Sequence, residues 1–135
     1  MEVQVALELI DEALLYPERE DYIIYCSVAQ DASLTGYICF GQIPLTDFSY
    51  DLYWIAVDEQ CARKGIGGEL MRFMEEYTCK KGGRSIYIDT SSTPEYEAAR
   101  SLYKRHSYQL MCVLEDFYRP GDHKMIFSKK LSPLL

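Results

Sequence analysis

Apolar residues recur along this chain with two different spacings, which separate predicted helices from predicted strands. Apolar positions three and four residues apart predict helices over residues 3–15, 65–81 and 94–106, the last with Thr93 as its N-cap. Stretches rich in Tyr, Ile and Val predict strands. These strands span residues 22–29, 34–41, 49–57, 84–89, 108–117 and 124–130. The predicted order is α-β-β-β-α-β-α-β-β, which places the chain in the α/β (α+β) class.

The segment that joins the third strand to the second helix is the most informative one. After Val57 the chain passes through Arg63 and Lys64 into a glycine-rich first helical turn. Such a turn leaves backbone N–H groups without intrahelical partners, and glycines let a phosphate approach them closely. The segment therefore predicts a pyrophosphate site, with Arg63 and Lys64 adding positive charge. Its backbone groups belong to Gly65, Ile66, Gly67 and Gly68.

Two other phosphate-binding loops do not match this segment. A Walker loop requires Gly-x-x-x-x-Gly-Lys-Ser/Thr, and no such string occurs in the chain. A dinucleotide fingerprint requires Gly-x-Gly-x-x-Gly, but Gly65 and Gly67 are followed at once by Gly68. A tight turn that needs small residues only for packing remains the alternative interpretation.

Composition narrows the class of protein further. The chain has 135 residues, 48% of them apolar, which indicates one globular domain over residues 1–135. Its net charge of −7 argues against nucleic acid as the main partner. No apolar run approaches the ~20 residues of a membrane-spanning helix, so no membrane association is expected. Five scattered cysteines without Cys-x-x-Cys pairs favour reduced thiols in a cytoplasmic protein over disulfides or a metal site.

Three blocks of sequence carry a joint pattern. The first is the strand 53–57 with the loop 64–68, similar to a Gln/Arg-x-x-Gly-x-Gly/Ala pyrophosphate motif. The second is Ala99-Arg-Ser-Leu-Tyr103, which with Tyr108 is similar to Ala-x-x-x-Tyr followed by Gly-Phe. The third is the closing hairpin, residues 108–131. Together, over residues 21–131, they resemble the GNAT family of acetyl-CoA-dependent N-acetyltransferases. The resemblance implies a mixed, mostly antiparallel twisted sheet with helices on both faces.

The chain departs from the family pattern at several positions. Ala62 stands where the family usually has Gln or Arg, with Arg63 one place later, which weakens a side-chain contact to pyrophosphate but leaves the backbone amides. Tyr96 replaces a frequent Asn, and Ser107 replaces the Gly of Gly-Phe. Because the chain starts at a predicted helix, the first strand of the family is expected to be missing.

The resemblance implies roles for two residues, and the expected binding of ligands at the carboxyl ends of parallel strands adds a third candidate. Amine acetylation needs a base for the amine and a proton for the leaving thiolate. Tyr103 matches the family tyrosine that faces the coenzyme sulfur, and otherwise is a core aromatic. Asp51 lies where histone-type members carry their base, and otherwise is an ordinary strand residue. Asp89, at the end of the next predicted strand, is a second candidate for amine binding or proton relay, and otherwise is a turn residue.

The resemblance also implies acetyl-CoA as co-substrate and no metal. Its pantetheine arm is expected to pair along Ile55, Ala56 and Val57, as on the corresponding strand of the family. The expected reaction moves an acetyl group to a primary amine of a small molecule or peptide, by direct transfer in a ternary complex. The alternative is a non-catalytic acyl-CoA-binding protein of the same fold that regulates a partner.

A missing first strand also predicts self-association. The edge of strand 22–29 would then present unpaired backbone groups along a β-prone stretch. A symmetric partner is a common cover for such an edge, so we expect a homodimer. The helix over residues 3–15 is the alternative cover.

Overall fold

A computed structural model of the chain describes residues 22–61 and 64–132. Six strands and two α-helices follow one another in the predicted order from the first strand onward. They are β1 (Ile23–Val28), β2 (Leu34–Gln42), β3 (Ser49–Val57), α1 (Ile66–Lys80), β4 (Ser85–Ser91), α2 (Glu97–Arg105), β5 (Gln109–Arg119) and β6 (Asp122–Lys130). The helix predicted over residues 3–15 lies outside the described residues.

All six strands form one sheet with the order β1-β2-β3-β4-β6-β5. The β3–β4 pair is parallel and the other four pairs are antiparallel, so the predicted mixed, mostly antiparallel sheet is confirmed. β6 lies between β4 and β5, which makes β5 an edge strand. β1 is the other edge among the described strands.

Both described helices cover the same face of the sheet. Phe127 and Lys129 point to one side of β6, because residues two apart on a strand share a face. The Phe127 ring centroid lies 6.1 Å from that of Tyr103 on α2, and Lys129 Nζ lies 2.7 Å from Glu75 Oε1 on α1. The core lies between this face and the helices. Its fully buried members include Ile38, Phe40, Leu70, Met71, Met74, Ile86 and Phe127. The resemblance implies helices on both faces, and the helix predicted over residues 3–15 lies outside the described residues.

The late α-helix starts later than predicted, whereas its end at Arg105, with His106 as the C-cap, agrees with the prediction. Residues 94–96 form a single 3₁₀ turn, and α2 begins only at Glu97. Thr93 makes no side-chain cap hydrogen bond, because its Oγ1 lies 3.0 Å from Ser91 Oγ instead. β4 also runs two residues further than predicted, since Thr90 and Ser91 still pair with β6. Asp89 therefore lies within β4 and not at its end.

Candidate active site

β3 and β4 run side by side over only four residue pairs and then separate. The parallel register ends at Leu52 opposite Ile88, yet β3 continues to Val57 and β4 to Ser91. Beyond this point the β4-facing edge of β3 has no strand partner in the described part of the chain. The sheet therefore opens into a wedge, which we call the β3–β4 opening.

A bulge in β3 accompanies the opening. Leu52 lies opposite Phe40 of β2, whereas Trp54 lies opposite Cys39, so Tyr53 is an extra residue in β3. A bulge bends its strand and increases the local twist. The bulge thus directs the end of β3 away from β4, at the residue where their pairing stops.

Ile55, Ala56 and Val57 lie on the open edge of β3. Their other edge pairs with β2, in register with Ile38, Tyr37 and Gly36. A ligand with amide groups can therefore add to this edge as a further strand would. The geometry agrees with the predicted pantetheine site, which stays a prediction.

The N-terminus of α1 lies at the wide end of the opening. Gly65 is the N-cap, with φ 80° and ψ 8°, a left-handed conformation that glycine adopts at little cost. No side chain caps the helix, and its first intrahelical bond runs from Glu69 N to Gly65 O at 3.0 Å. The amides of Ile66, Gly67 and Gly68 thus lack intrahelical acceptors, and the helix dipole adds partial positive charge there. This arrangement favours an anion.

The glycines of this turn also serve packing. A Cβ on Gly67 would lie 3.2 Å from Leu102 Cδ2, so the small residue lets α1 approach α2. A Cβ on Gly68 would lie 3.3 Å from Arg72 Nη1 and 3.4 Å from His106 Nε2. The packing interpretation and the anion site therefore hold for the same residues. Sequence reasoning missed Arg72 and His106 beside the cradle.

Lys64 is exposed next to the cradle, whereas Arg63 lies outside the described residues and its phosphate contact stays a prediction. We expect Lys64→Glu to weaken acetyl-CoA binding severalfold, since an exposed ion pair is worth about 0.2–1 kcal/mol and the glutamate also repels the pyrophosphate. The matched control is Lys80→Glu, the same charge reversal at the exposed far end of α1. Calorimetric titration with acetyl-CoA should separate the two variants. Equal affinities for both would place the pyrophosphate elsewhere.

Tyr103 lies on α2 where the β3–β4 opening begins. It is 6% exposed, and its ring packs on Phe127, which is in register with Ile88. Burial raises the pKa of Tyr103 to about 12, so its hydroxyl keeps its proton at neutral pH. Within residues 22–61 and 64–132 the hydroxyl has no hydrogen-bond partner. Tyr103 is thus a core aromatic with an available donor.

Asp51 and Asp89 lie on the opposite face of the sheet from Tyr103. Their neighbours Leu52 and Ile88 are buried in the core under the helices, so the two aspartates point the other way. The pKa of Asp51 is raised from 3.8 to about 6, first by burial and then by the negative charge of Asp89. The positive charge of Lys124 acts in the other direction.

Lys124 completes this group of charges, and sequence reasoning missed it. Its Nζ lies 3.2 Å from Asp89 Oδ2 and 4.5 Å above the ring of Phe117. Phe117 stands edge-on to Tyr118, with ring centroids 5.1 Å apart. The aromatic end of the β5–β6 hairpin thus lies beside the carboxylates.

A polar network holds the end of β4 against the hairpin. The Ser91 hydroxyl donates to Asp122, and Arg119 Nη1 donates to the other oxygen of Asp122 at 2.7 Å. Arg100 Nη1 of α2 donates to the carbonyls of Ser91 and Thr93 at 2.7 and 2.8 Å. These bonds fix the strands that carry Asp89 and Lys124.

Both histidines of the chain, His106 and His123, are half-buried. His123 has a structural contact, because its Nδ1 accepts a hydrogen bond from the Asp116 N–H at 2.9 Å. Burial, as the first cause, lowers the pKa of His106. These surroundings do not suggest a catalytic role for either histidine.

Other features of the described residues lie away from the opening. A cavity of about 480 Å³ at the C-terminal end of α1 is lined by Cys79, Lys80, Gly82, Gly83, Arg84, Leu131 and Ser132, none of them a candidate site residue. All five cysteines are free thiols. In residues 22–61 and 64–132 no group of His, Cys, Asp and Glu could hold a metal ion. Over the same residues, no helix is long and apolar enough to span a bilayer.

The opened sheet, the glycine-rich helix start and the buried Tyr103 beside the opening agree with the resemblance to acetyltransferases. The family model of the GNAT acetyltransferases matches residues 4–108, and the chain belongs to that family. A GNAT-family protein of known structure from Desulfovibrio desulfuricans is 34% identical, with a TM-score of 0.91 over 96% of this chain and 80% of that one. No significant match was found among curated proteins.

More distant solved structures share the fold. An aminoglycoside 6′-N-acetyltransferase in complex with coenzyme A is 18% identical, with a TM-score of 0.73 over 95% of this chain and 92% of that one. The ribosomal-protein-S18-alanine N-acetyltransferase from Escherichia coli is 16% identical, with a TM-score of 0.73 over 93% and 79%. At these identities the likeness extends to the fold alone.

Proposed function

We propose that this chain is an N-acetyltransferase that moves an acetyl group from acetyl-CoA to a primary amine of a small molecule or peptide. The observation that carries the proposal is the β3–β4 opening. It has a protonated tyrosine, Tyr103, on one face and two carboxylates, Asp51 and Asp89, on the other. Donor and acceptor can therefore enter from opposite faces and meet in a ternary complex.

Acetyl-CoA fits the helix face of the opening. The uncapped amides of Ile66, Gly67 and Gly68 offer donors to its pyrophosphate. From there the pantetheine arm follows the open edge of β3, from Val57 toward Leu52. This path brings the thioester to the level at which Tyr103 lies. Among the structural neighbours, the aminoglycoside 6′-N-acetyltransferase was solved with coenzyme A, which supports the choice of co-substrate.

The carboxylate face fits a cationic amine. The Asp51 carboxylate attracts an approaching ammonium group, because the two charges are opposite. With a pKa of about 6, this carboxyl is ionised at pH 7 yet basic enough to accept a proton. The neutral amine then attacks the thioester carbonyl and forms the C–N bond, and the C–S bond breaks with its electron pair leaving on sulfur. The nitrogen loses its second proton to solvent, which leaves a neutral amide. Neighbours named for aminoglycosides and for a ribosomal-protein alanine act on amines, which supports this acceptor class.

Tyr103 stabilises the leaving thiolate by donating a hydrogen bond. Full proton transfer is uphill, because the pKa of Tyr103 is about 12 and that of an ordinary thiol is about 8.5. A donor of this kind acts as the charge develops and keeps its own proton, and solvent later protonates the released coenzyme.

An amine panel tests the proposal against the binding-protein alternative. The purified chain is incubated with acetyl-CoA and individual primary amines, and free coenzyme thiol is measured together with the mass of each amine. We expect at least one amine to gain an acetyl group in step with thiol release. Tight acetyl-CoA binding with no amine-dependent thiol release would instead support a non-catalytic acyl-CoA-binding protein.

We also propose a cytoplasmic location, without nucleic acid or membrane as partner. Free thiols at all five cysteines and a net charge of −7 support this proposal. Cell fractionation of the tagged chain is the test, and recovery in the membrane fraction after a salt wash would contradict it.

The homodimer predicted from the β1 edge stays a proposal, and we place its contact on β5 instead. β5 is the other edge strand and exposes Leu110, Met111, Val113, Leu114, Phe117 and Tyr118. The residues on either side of Cys112 are alike, with Leu110 and Met111 before it and Val113 and Leu114 after it. Antiparallel pairing of two copies centred there sets apolar residues opposite apolar ones and Gln109 opposite Glu115.

Two matched variants locate the contact. Val113 of β5 and Val28 of β1 are both exposed valines, 42% and 62% respectively. We expect Val113→Arg to give a monomer in light scattering at micromolar concentration and Val28→Arg to leave a dimer. The reverse pattern would return the contact to β1, and a monomeric wild type would remove the dimer altogether.

A further inference from the structure

Negative groups outnumber positive ones around Asp51 and Asp89, on the sheet face opposite the helices, which we call the acceptor face. Asp51 and Asp89 bring two carboxylates, whereas Lys124 is the cation in direct contact with them. Its side chain is 21% exposed and that of Asp89 is 48% exposed. The ion pair therefore lies at the border of the site, where an incoming acceptor meets it.

Among the described residues, Asp89 and Lys124 are the charged groups that act on the Asp51 carboxyl. On β2 the thiol of Cys39 faces the same side, and burial raises its pKa to about 12. Tyr87 of β4 and Tyr118 of β5 contribute phenols, and burial raises the pKa of Tyr118. Lys130 of β6 shares this face but lies opposite Ser85, at the other end of β4. The charges next to Asp51 are therefore those of Asp89 and Lys124.

We propose that Lys124 is a specificity-determining residue that neutralises Asp89, leaves Asp51 as the single uncompensated carboxylate, and so matches the site to acceptors that bring one positive charge. The proposal rests on the proposed function. An acceptor with one ammonium group neutralises Asp51. In an acceptor with two cationic groups, the second group must compete with Lys124 for Asp89. If it does not, it finds no uncompensated carboxylate to pair with.

The position of Lys124 supports this role. It lies on β6, opposite Ser91 of β4 and Leu114 of β5, in the middle of three strands fixed by the Ser91–Asp122–Arg119 network. The Phe117 ring beneath its ammonium group adds a cation–π contact. The lysine is thus held at Asp89 from two sides.

The test compares Lys124→Met with two control variants. Lys124→Arg keeps the charge at the same place. Lys129→Met removes a lysine from the same strand but from the helix face, where it pairs with Glu75. Carboxyl ¹³C NMR of the intact chain follows the titration of Asp51, and steady-state kinetics compare 1-aminobutane with 1,4-diaminobutane.

We expect Lys124→Met to move the titration midpoint of Asp51 upward, because an opposite charge is removed. We also expect it to improve the KM for the diamine relative to the monoamine, by up to about fivefold for a partly exposed pair. Lys124→Arg and Lys129→Met should leave both quantities as in the wild type. An unchanged Asp51 midpoint, or an unchanged KM ratio, in Lys124→Met overturns the proposal.

Failure of the proposed function has a different signature. A chain that transfers no acetyl group to either amine, but shows the upward shift of the Asp51 midpoint in Lys124→Met, refutes acetyl transfer to such amines. That result still supports the coupling of Lys124 to the two carboxylates.

Discussion

Tyr103→Phe should lower the turnover number by ~10²–10³ and leave acetyl-CoA affinity nearly unchanged, because removal of one preorganised donor to a developing charge has an effect of that size. The ring packs on Phe127 and stays in place, so the fold and the coenzyme site are preserved. Stopped-flow measurement of thiol release gives the rate of the chemical step, and calorimetry gives the affinity.

Tyr108→Phe is the matched control for this variant. Tyr108 is also a buried tyrosine, 3% exposed, but its hydroxyl donates to Glu75 Oε2 at 3.0 Å on the helix side of the core. Loss of this hydroxyl in Tyr108→Phe should lower the free energy of unfolding and leave the turnover number unchanged. If both variants lose turnover equally, or if Tyr103→Phe retains the wild-type chemical rate, Tyr103 is a packing residue only.

Asp51→Asn should lower the rate at neutral pH by ~10²–10⁴, the range for loss of a general base. In the wild type, kcat/KM should rise with pH through about 6 as Asp51 ionises. The variant should lack this rise of kcat/KM near pH 6. The difference in rate from the wild type should decrease at high pH, because more of the amine is already neutral there. A variant profile that matches the wild type would move the base to Asp89 or to bulk water.

The same substitution should stabilise the fold at high pH. The pKa of Asp51 is about 6 in the folded chain and 3.8 ordinarily, so the folded state holds this proton more tightly. The contribution of Asp51 to stability is therefore favourable at low pH and is lost as pH rises from about 4 through 6. Asparagine does not ionise. In thermal unfolding, Asp51→Asn should have a higher Tm than the wild type at pH 8, and the difference in Tm should decrease toward pH 4.

Sequence reasoning succeeded where structure is decided locally. The start of α1 could be predicted because a glycine-rich turn follows a strand and the apolar residues of the helix repeat at helical spacing. The core positions Leu70, Met74, Ile86 and Ile88 followed from the same periodicities, and all are buried.

The parts that failed depend on contacts between distant segments. β4 extends to Ser91 because β6 returns to pair with it, and Thr93 turns toward Ser91 instead of capping a helix. The role of Lys124 depends on the insertion of β6 between β4 and β5, which puts it beside Asp89. No spacing in the sequence encodes that neighbourhood.

The central claim is that donor and acceptor meet in the β3–β4 opening and that the acetyl group passes directly between them. Its most direct test is a single-turnover experiment with isotopically labelled acetyl-CoA, an amine identified by the panel, and wild type beside Tyr103→Phe and Asp51→Asn. We expect labelled amine to form at the rate of thiol release in the wild type and more slowly in both variants, with no label left on the protein. Label retained on the protein, or thiol release at equal rates in all three, would contradict it.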